Sequence, residues 1–253
     1  MKKLLALTFV FICLNTMLLA QSHSKDNGSG FTLGLFGGLN VPQLSGGNNN
    51  EMSRDYTSRL GAAFGFTATY SMGTALALRA DILYSSEGGQ RNGMQAIDAI
   101  SYNPDAPAGT YLYADFKNES ILNYLEIPFM LRYDISISKA TKLYADFGPY
   151  VGFLLNAKQK TSGSSFIYAD REGTMPVVSQ PVSFDASTDV KSSINPFNFG
   201  ITGGLGITQK IGKGEVFLDL RGAYGITTVQ KDSKDGNSHN GYLLTALGYA
   251  ISL

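Results

Sequence analysis

The chain has 253 residues, with 20 Lys+Arg against 20 Asp+Glu and hence no formal net charge. That balance, without any basic run, excludes the electrostatic footprint of a nucleic-acid binder. Beyond the first twenty residues no apolar run is long enough for a membrane helix, so any crossing must use strands, which cross only as a closed barrel.

The N-terminus reads as a secretory signal. Lys2 and Lys3 give the positive start, Leu4 to Leu19 the apolar stretch, and Ala20 before Gln21 the small residue at a cut. Cleavage after residue 20 would remove the sole cysteine, Cys13, so the mature chain is expected to lack disulfides and thiolate metal ligands. It would also remove two lysines and no acid, moving the formal charge from zero to about −2. Residues 21–30 are expected to form a tail, and 31–253 a single β domain.

Eight strands are predicted, at 31–40, 58–71, 75–86, 122–135, 142–156, 196–209, 215–228 and 242–253. Their connections alternate in length. Met72-Gly73-Thr74, Ser136 to Thr141 and Lys210 to Gly214 are short, whereas 41–57, 87–121, 157–195 and 229–241 are longer. Short turns at one end and long loops at the other are the habit of outer-membrane barrels, with the long loops outside the cell. Asn103-Pro104-Asp105-Ala106-Pro107 and Ser162-Gly163-Ser164-Ser165 mark the two longest loops as irregular surface, although Thr110 to Phe116 is strand-like and could extend the barrel.

Successive strand side chains point to opposite faces. From Leu60 to Tyr70 the even positions are Leu60, Ala62, Phe64, Phe66, Ala68 and Tyr70, and the odd ones are small or polar. Across the eight segments the polar face carries Arg59, Arg79, Asp81, Glu126, Arg132, Asp134, Lys142, Asp146, Glu215, Asp219 and Arg221, and the apolar face carries no charge. The polar face also holds most strand glycines, among them Gly34, Gly38, Gly61, Gly65, Gly148, Gly152, Gly200, Gly204 and Gly206. A wall facing bulk water needs no small residues, but the interior of a narrow barrel does. The charged, glycine-rich face is therefore read as the lumen, and Phe64, Phe66, Leu78, Ile82, Phe129, Leu131, Phe147 and Leu218 as the lipid face. Tyr70, Tyr84, Tyr133, Tyr224 and Tyr249 suit interfacial belts. The expected fold is all-β, an eight-stranded antiparallel up-and-down transmembrane β-barrel in the cell outer membrane. A soluble, lipocalin-like binder with the faces exchanged is the alternative.

Several stretches resemble the PorT-like, OmpA-type outer-membrane β-barrel family of Bacteroidetes. They are Tyr124-Leu125-Glu126-Ile127-Pro128 with Phe129 to Tyr133, Phe147-Gly148-Pro149-Tyr150-Val151-Gly152-Phe153, Gly34 to Asn40, and Gly203-Gly204-Leu205-Gly206. The resemblance covers nearly all of the mature chain and implies an eight-stranded outer-membrane barrel, with one family name taken from type IX secretion. Leu253 departs from the Phe or Trp that ends many such barrels, but Tyr249, Ile251 and Leu253 keep the final strand alternating.

For chemistry, the lumen is the first candidate. Arg59, Arg79, Asp81, Glu126, Arg132, Asp134, Asp146, Asp219 and Arg221 are expected to form an ion-pair network plugging it, since unpaired buried charge is very costly. A narrow gated ion path is the alternative. An enzyme at the outer mouth would need His239 with Ser238 and Asp232 or Asp235, because the other histidine, His23, falls in the tail. That run is also an ordinary polar hairpin loop, so no catalytic residue is assigned. Asp232, Asp235 and Asn237 lack calcium-loop spacing, so no metal or cofactor is expected. The expected partners are outer-membrane lipid, the barrel-assembly machinery, and a protein or glycan at the outer loops. Loop 87–121 suits that last role, with seven charges, five of them acidic, beside Tyr102, Tyr111 and Tyr113.

Overall fold

The computed structural model describes residues 29–47 and 50–253. The expected signal peptide, nearly all of the expected tail, and His23 lie outside them. Eight long strands form the barrel wall: β1 (Ser29–Ser45), β2 (Gly61–Met72), β3 (Leu76–Asp98), β4 (Tyr111–Ser136), β5 (Thr141–Ser162), β6 (Phe197–Ile211), β7 (Gly214–Thr228) and β8 (His239–Ser252). Each pairs antiparallel with its sequence neighbour, and β1 closes the ring on β8 from Thr32↔Ser252 to Ser45↔His239. Closure leaves no strand edge for lipid to meet, which is the condition for crossing a bilayer with strands.

The short connections turn tightly. Gly73 and Gly212 have φ of 101° and 62°, a left-handed backbone that glycine adopts without steric cost. At the opposite end the structure departs from expectation. Most of 87–121 is not irregular: β3 and β4 pair continuously from Glu87↔Leu122 to Asp98↔Tyr111, leaving only 99–110 as the connection. β5 follows them to Ser162, and Ala186–Asp189 adds a further edge to β5. The barrel thus continues outward as a partial sheet on one side only. Polar and charged side chains in this stretch hid the strands from a reading that sought an apolar face, because beyond the membrane no lipid demands one.

The two walls separate as the alternation predicts. Leu35, Phe64, Phe66, Leu78, Ile82, Phe129, Leu131, Phe147, Leu205 and Leu247 are exposed, Phe66 by 64%. Arg79, Asp81, Glu126, Asp146, Asp219 and Arg221 are buried inside. A lipocalin-like barrel would show the reverse, so the soluble alternative is set aside. Inner glycines make room for large facing side chains: a Cβ at Gly200 would stand 2.5 Å from the Tyr150 ring, and one at Gly206 would collide with the Tyr144 ring.

Candidate functional site

The lumen is filled in zones. Its most ionic part is built from inward positions of β3, β5 and β7. Arg79 donates from Nε to Asp81 (3.0 Å) and Thr67 (3.2 Å), and from Nη1 to Asp146 (3.0 Å). Its Nη2 sits 3.0 Å from Asp219, an opposite-charge contact without hydrogen-bond geometry. Arg221 donates to Asp81 (2.8 Å) and Asp219 (2.7 Å). Every one of these side chains is excluded from solvent. Two guanidinium groups therefore bridge three strands through three carboxylates, each using its several N–H donors to reach more than one acid.

Arg132 pairs with Asp134 at 2.8 Å on β4 and lies 3.8 Å over the Tyr144 ring, a cation–π contact. Beside the ionic zone packs an apolar cluster of Phe36, Ala63, Leu83, Phe217, Tyr242, Leu244, Ala246 and Ala250. A second cluster, of Leu44, Leu122, Tyr124, Leu154, Ala157, Ile194 and Val229, closes the outer end of the lumen. Side chains of β1, β2, β3, β4, β5, β7 and β8 contribute to these zones, as the narrow interior of a small barrel requires.

Two of the nine expected network members make no ion pair within the lumen. Arg59 is not in the lumen: it pairs with Glu119 at 2.9 Å and donates to the Ser86 hydroxyl and the Glu87 carbonyl. Ser86 and Glu119 belong to the outward set of β3 and β4, so Arg59 clasps the outer wall at the rim. Regular pairing of β2 begins only at Gly61, so the inward alternation does not reach back to residue 59. Glu126 is in the lumen but has no basic partner among the described residues; it accepts a 2.7 Å hydrogen bond from the Tyr242 hydroxyl. The acid beside it is Glu87, which sequence reasoning left in a loop. Continuing the inward series 79, 81, 83, 85 by one step would have found it.

The mouth carries no assembled triad among the described residues. Ser238 is engaged by Gln230, Asp232 accepts from the Lys234 backbone, and the His239 ring stacks on Tyr224 with Nδ1 unpartnered. The Asp235 side chain lies outside the described atoms. A cleft on the outer extension is lined by Glu51, Arg54, Asp55, Arg91 and Arg171. Arg54 and Arg171 there share Glu51 and Asp55.

A family model described as an outer membrane protein beta-barrel domain matches residues 19–230. The chain belongs to this outer-membrane barrel family. No curated protein matches it by sequence. Among solved structures, it is similar to Neisserial surface protein A (14% identity, 89% of this chain and 99% of that one, TM-score 0.40). It is also similar to Ail, the attachment invasion locus protein of Yersinia pestis (11%, 89% and 100%, TM-score 0.37). A third is a major outer membrane protein from Thermus thermophilus (10%, 89% and 99%, TM-score 0.43). For an outer-membrane barrel of this family, the apolar girdle is the lipid-facing surface and the charged interior is the lumen.

Proposed function

We propose that this outer-membrane barrel is non-enzymatic and closed to bulk flow, and that it acts through its outer extension in surface interaction or secretion-related assembly. The PorT-like branch of the family is the finer assignment we favour, on the stretches around Tyr124–Pro128 and Phe147–Phe153. The observation that carries this reading is the one-sided continuation of β3, β4 and β5 beyond the ring. From Glu87 to Asp98 it amounts to about 40 Å of strand at ~3.3 Å per residue. A rigid paired ribbon presents its connection, 99–110, with exposed Ile100 and Tyr102, at low ordering cost to a protein or glycan. The ion-paired, apolar-capped lumen supports a closed barrel rather than a channel.

The test replaces residues 95–114 by a two-residue turn. The shortened protein should still reach the outer membrane and migrate as a heat-modifiable band, while losing surface binding or the associated phenotype. Retained binding would sink the reading. Discrete conductance of the intact protein in a planar bilayer would favour a narrow channel instead.

A further inference from the structure

A recess of about 300 Å³ opens on the lipid-facing wall near the β2–β3 turn. Its floor holds Ala68 of β2 and Ala80 of β3, which stand directly across from each other in the ladder. Arg79 and Met130, both buried on the lumen side, close the floor from behind. Phe31, Tyr70, Leu78, Phe129 and Leu131 form the rim, and the last four are each about half exposed. The next outward-facing pair toward the cell exterior, Phe66↔Ile82, is large again and exposed. The wall is therefore bulky around one small pair.

Depth says what lies against it. Ala68 is four residues from Met72, where β2 ends at the short turn. At ~3.3 Å per residue and a tilt near 40° that is about 10 Å in from the turn, inside the periplasmic half of a ~25 Å apolar band. The surroundings at that depth are acyl chains. Lipid is as apolar as leucine, so no hydrophobic force holds a chain to the wall, and selection rests on van der Waals fit. Against a flush wall a chain touches protein on one side only. Settled over Ala68 and Ala80 it also meets the rim on its flanks, contacts that an unfilled recess would forfeit. Tyr70, two residues from the strand end, stands near headgroup level, where its hydroxyl can donate to a lipid ester or phosphate oxygen.

We propose that this recess binds one acyl chain of a phospholipid from the periplasmic leaflet and retains it while the lipids around it exchange. Its volume has room for roughly ten methylene-sized groups at the ~30 Å³ that a water occupies, a fair length of one chain. A second copy of the barrel is the other conceivable occupant. The bulky Phe64, Phe66 and Ile82 beside the small pair favour a slender chain over a facing wall of strands.

The experiment titrates the full barrel, refolded in detergent, with dipalmitoyl phosphatidylethanolamine and counts retained lipids by native mass spectrometry. One lipid per barrel should survive activation that strips the rest. Ala68→Phe and Ala80→Phe each fill the recess from the lipid side, leaving the lumen untouched, and each should lower retention at least tenfold. Ala145→Phe is the control at matched depth: Ala145 is also exposed on the outer wall and four residues from the periplasmic end of its strand, β5, but away from the recess. It should retain lipid like the parent. In nanodiscs, a nitroxide at mid-chain of the same lipid should broaden the Ala68 and Ala80 methyl signals before that of Ala145. Equal retention in all three variants, or equal broadening at Ala68 and Ala145, would overturn the proposal and leave only unselective annular lipid. A parent dimer that Ala68→Phe dissociates would overturn it in favour of a second copy.

Discussion

At the scale of single residues, the lumen is held by a few side chains whose loss leaves others stranded. Arg79 touches Asp81, Asp146 and Asp219, so Arg79→Ala leaves three buried carboxylates facing Arg221 alone. Breaking a buried pair in this way costs about 3–5 kcal/mol, which urea unfolding of the refolded barrel should register as a large drop in midpoint. On the opposite wall Phe66 meets lipid, and Phe66→Arg should destabilise by about 2–4 kcal/mol in bilayers. An unchanged bilayer stability for that variant would contradict the assignment of faces. In the 163–196 connection, the Thr174 hydroxyl, with the Met175 and Thr174 amides, donates to Asp170 and holds its carboxyl below the ordinary range. A depressed folded value means the turn is supported above the ordinary aspartate pKa of about 3.9 and loses that support as pH falls through the folded value. The Thr174 and Met175 amide resonances should therefore stay fixed from about pH 8 to 5 and move only in stronger acid. Movement already near pH 6 would exclude Asp170 as the cause.

Among the elements, β3 and β4 matter most because they outrun the ring. Within the membrane their outward positions are apolar and their inward ones charged, whereas past Ser86 that contrast disappears while the pairing goes on. Two unequal environments thus act on one hairpin. Arg59, Glu119 and Ser86 pin the outer wall where the change occurs. Glu119→Ala should loosen the ribbon without unfolding the barrel. Faster proteolysis near 99–110, at an unchanged heat-modifiable transition, is the expected signature. Loss of both together would mean that the extension and ring form one cooperative unit.

For the whole molecule, closure of β1 on β8 converts a sheet with one apolar and one charged face into a body with lipid outside and a filled interior. The proposed closed lumen predicts no steady conductance for the parent, and none after Glu126→Gln, in planar bilayers at either polarity. Openings that respond to Glu126 would place an ion path where the two apolar clusters now stand.

The period-two alternation, the asymmetry of connection lengths and the segregation of charge and glycine were enough, by themselves, to specify an eight-stranded membrane barrel and which face is inside. Those features are local, and each strand carries its own copy of them. The partners of each charge were not legible, because they depend on register and on the curvature that brings β3, β5 and β7 across a narrow lumen. Arg79 meets Asp146 and Asp219 only after closure. Arg59 shares the parity of the inward set yet turns to the rim, since regular pairing begins after it. Glu87 was lost at a strand end that the sequence blurs, because strand hydrophobicity fades where lipid does. The β3–β4 register decides that Glu87 stands near Glu126, and among the described residues neither has a salt-bridge partner.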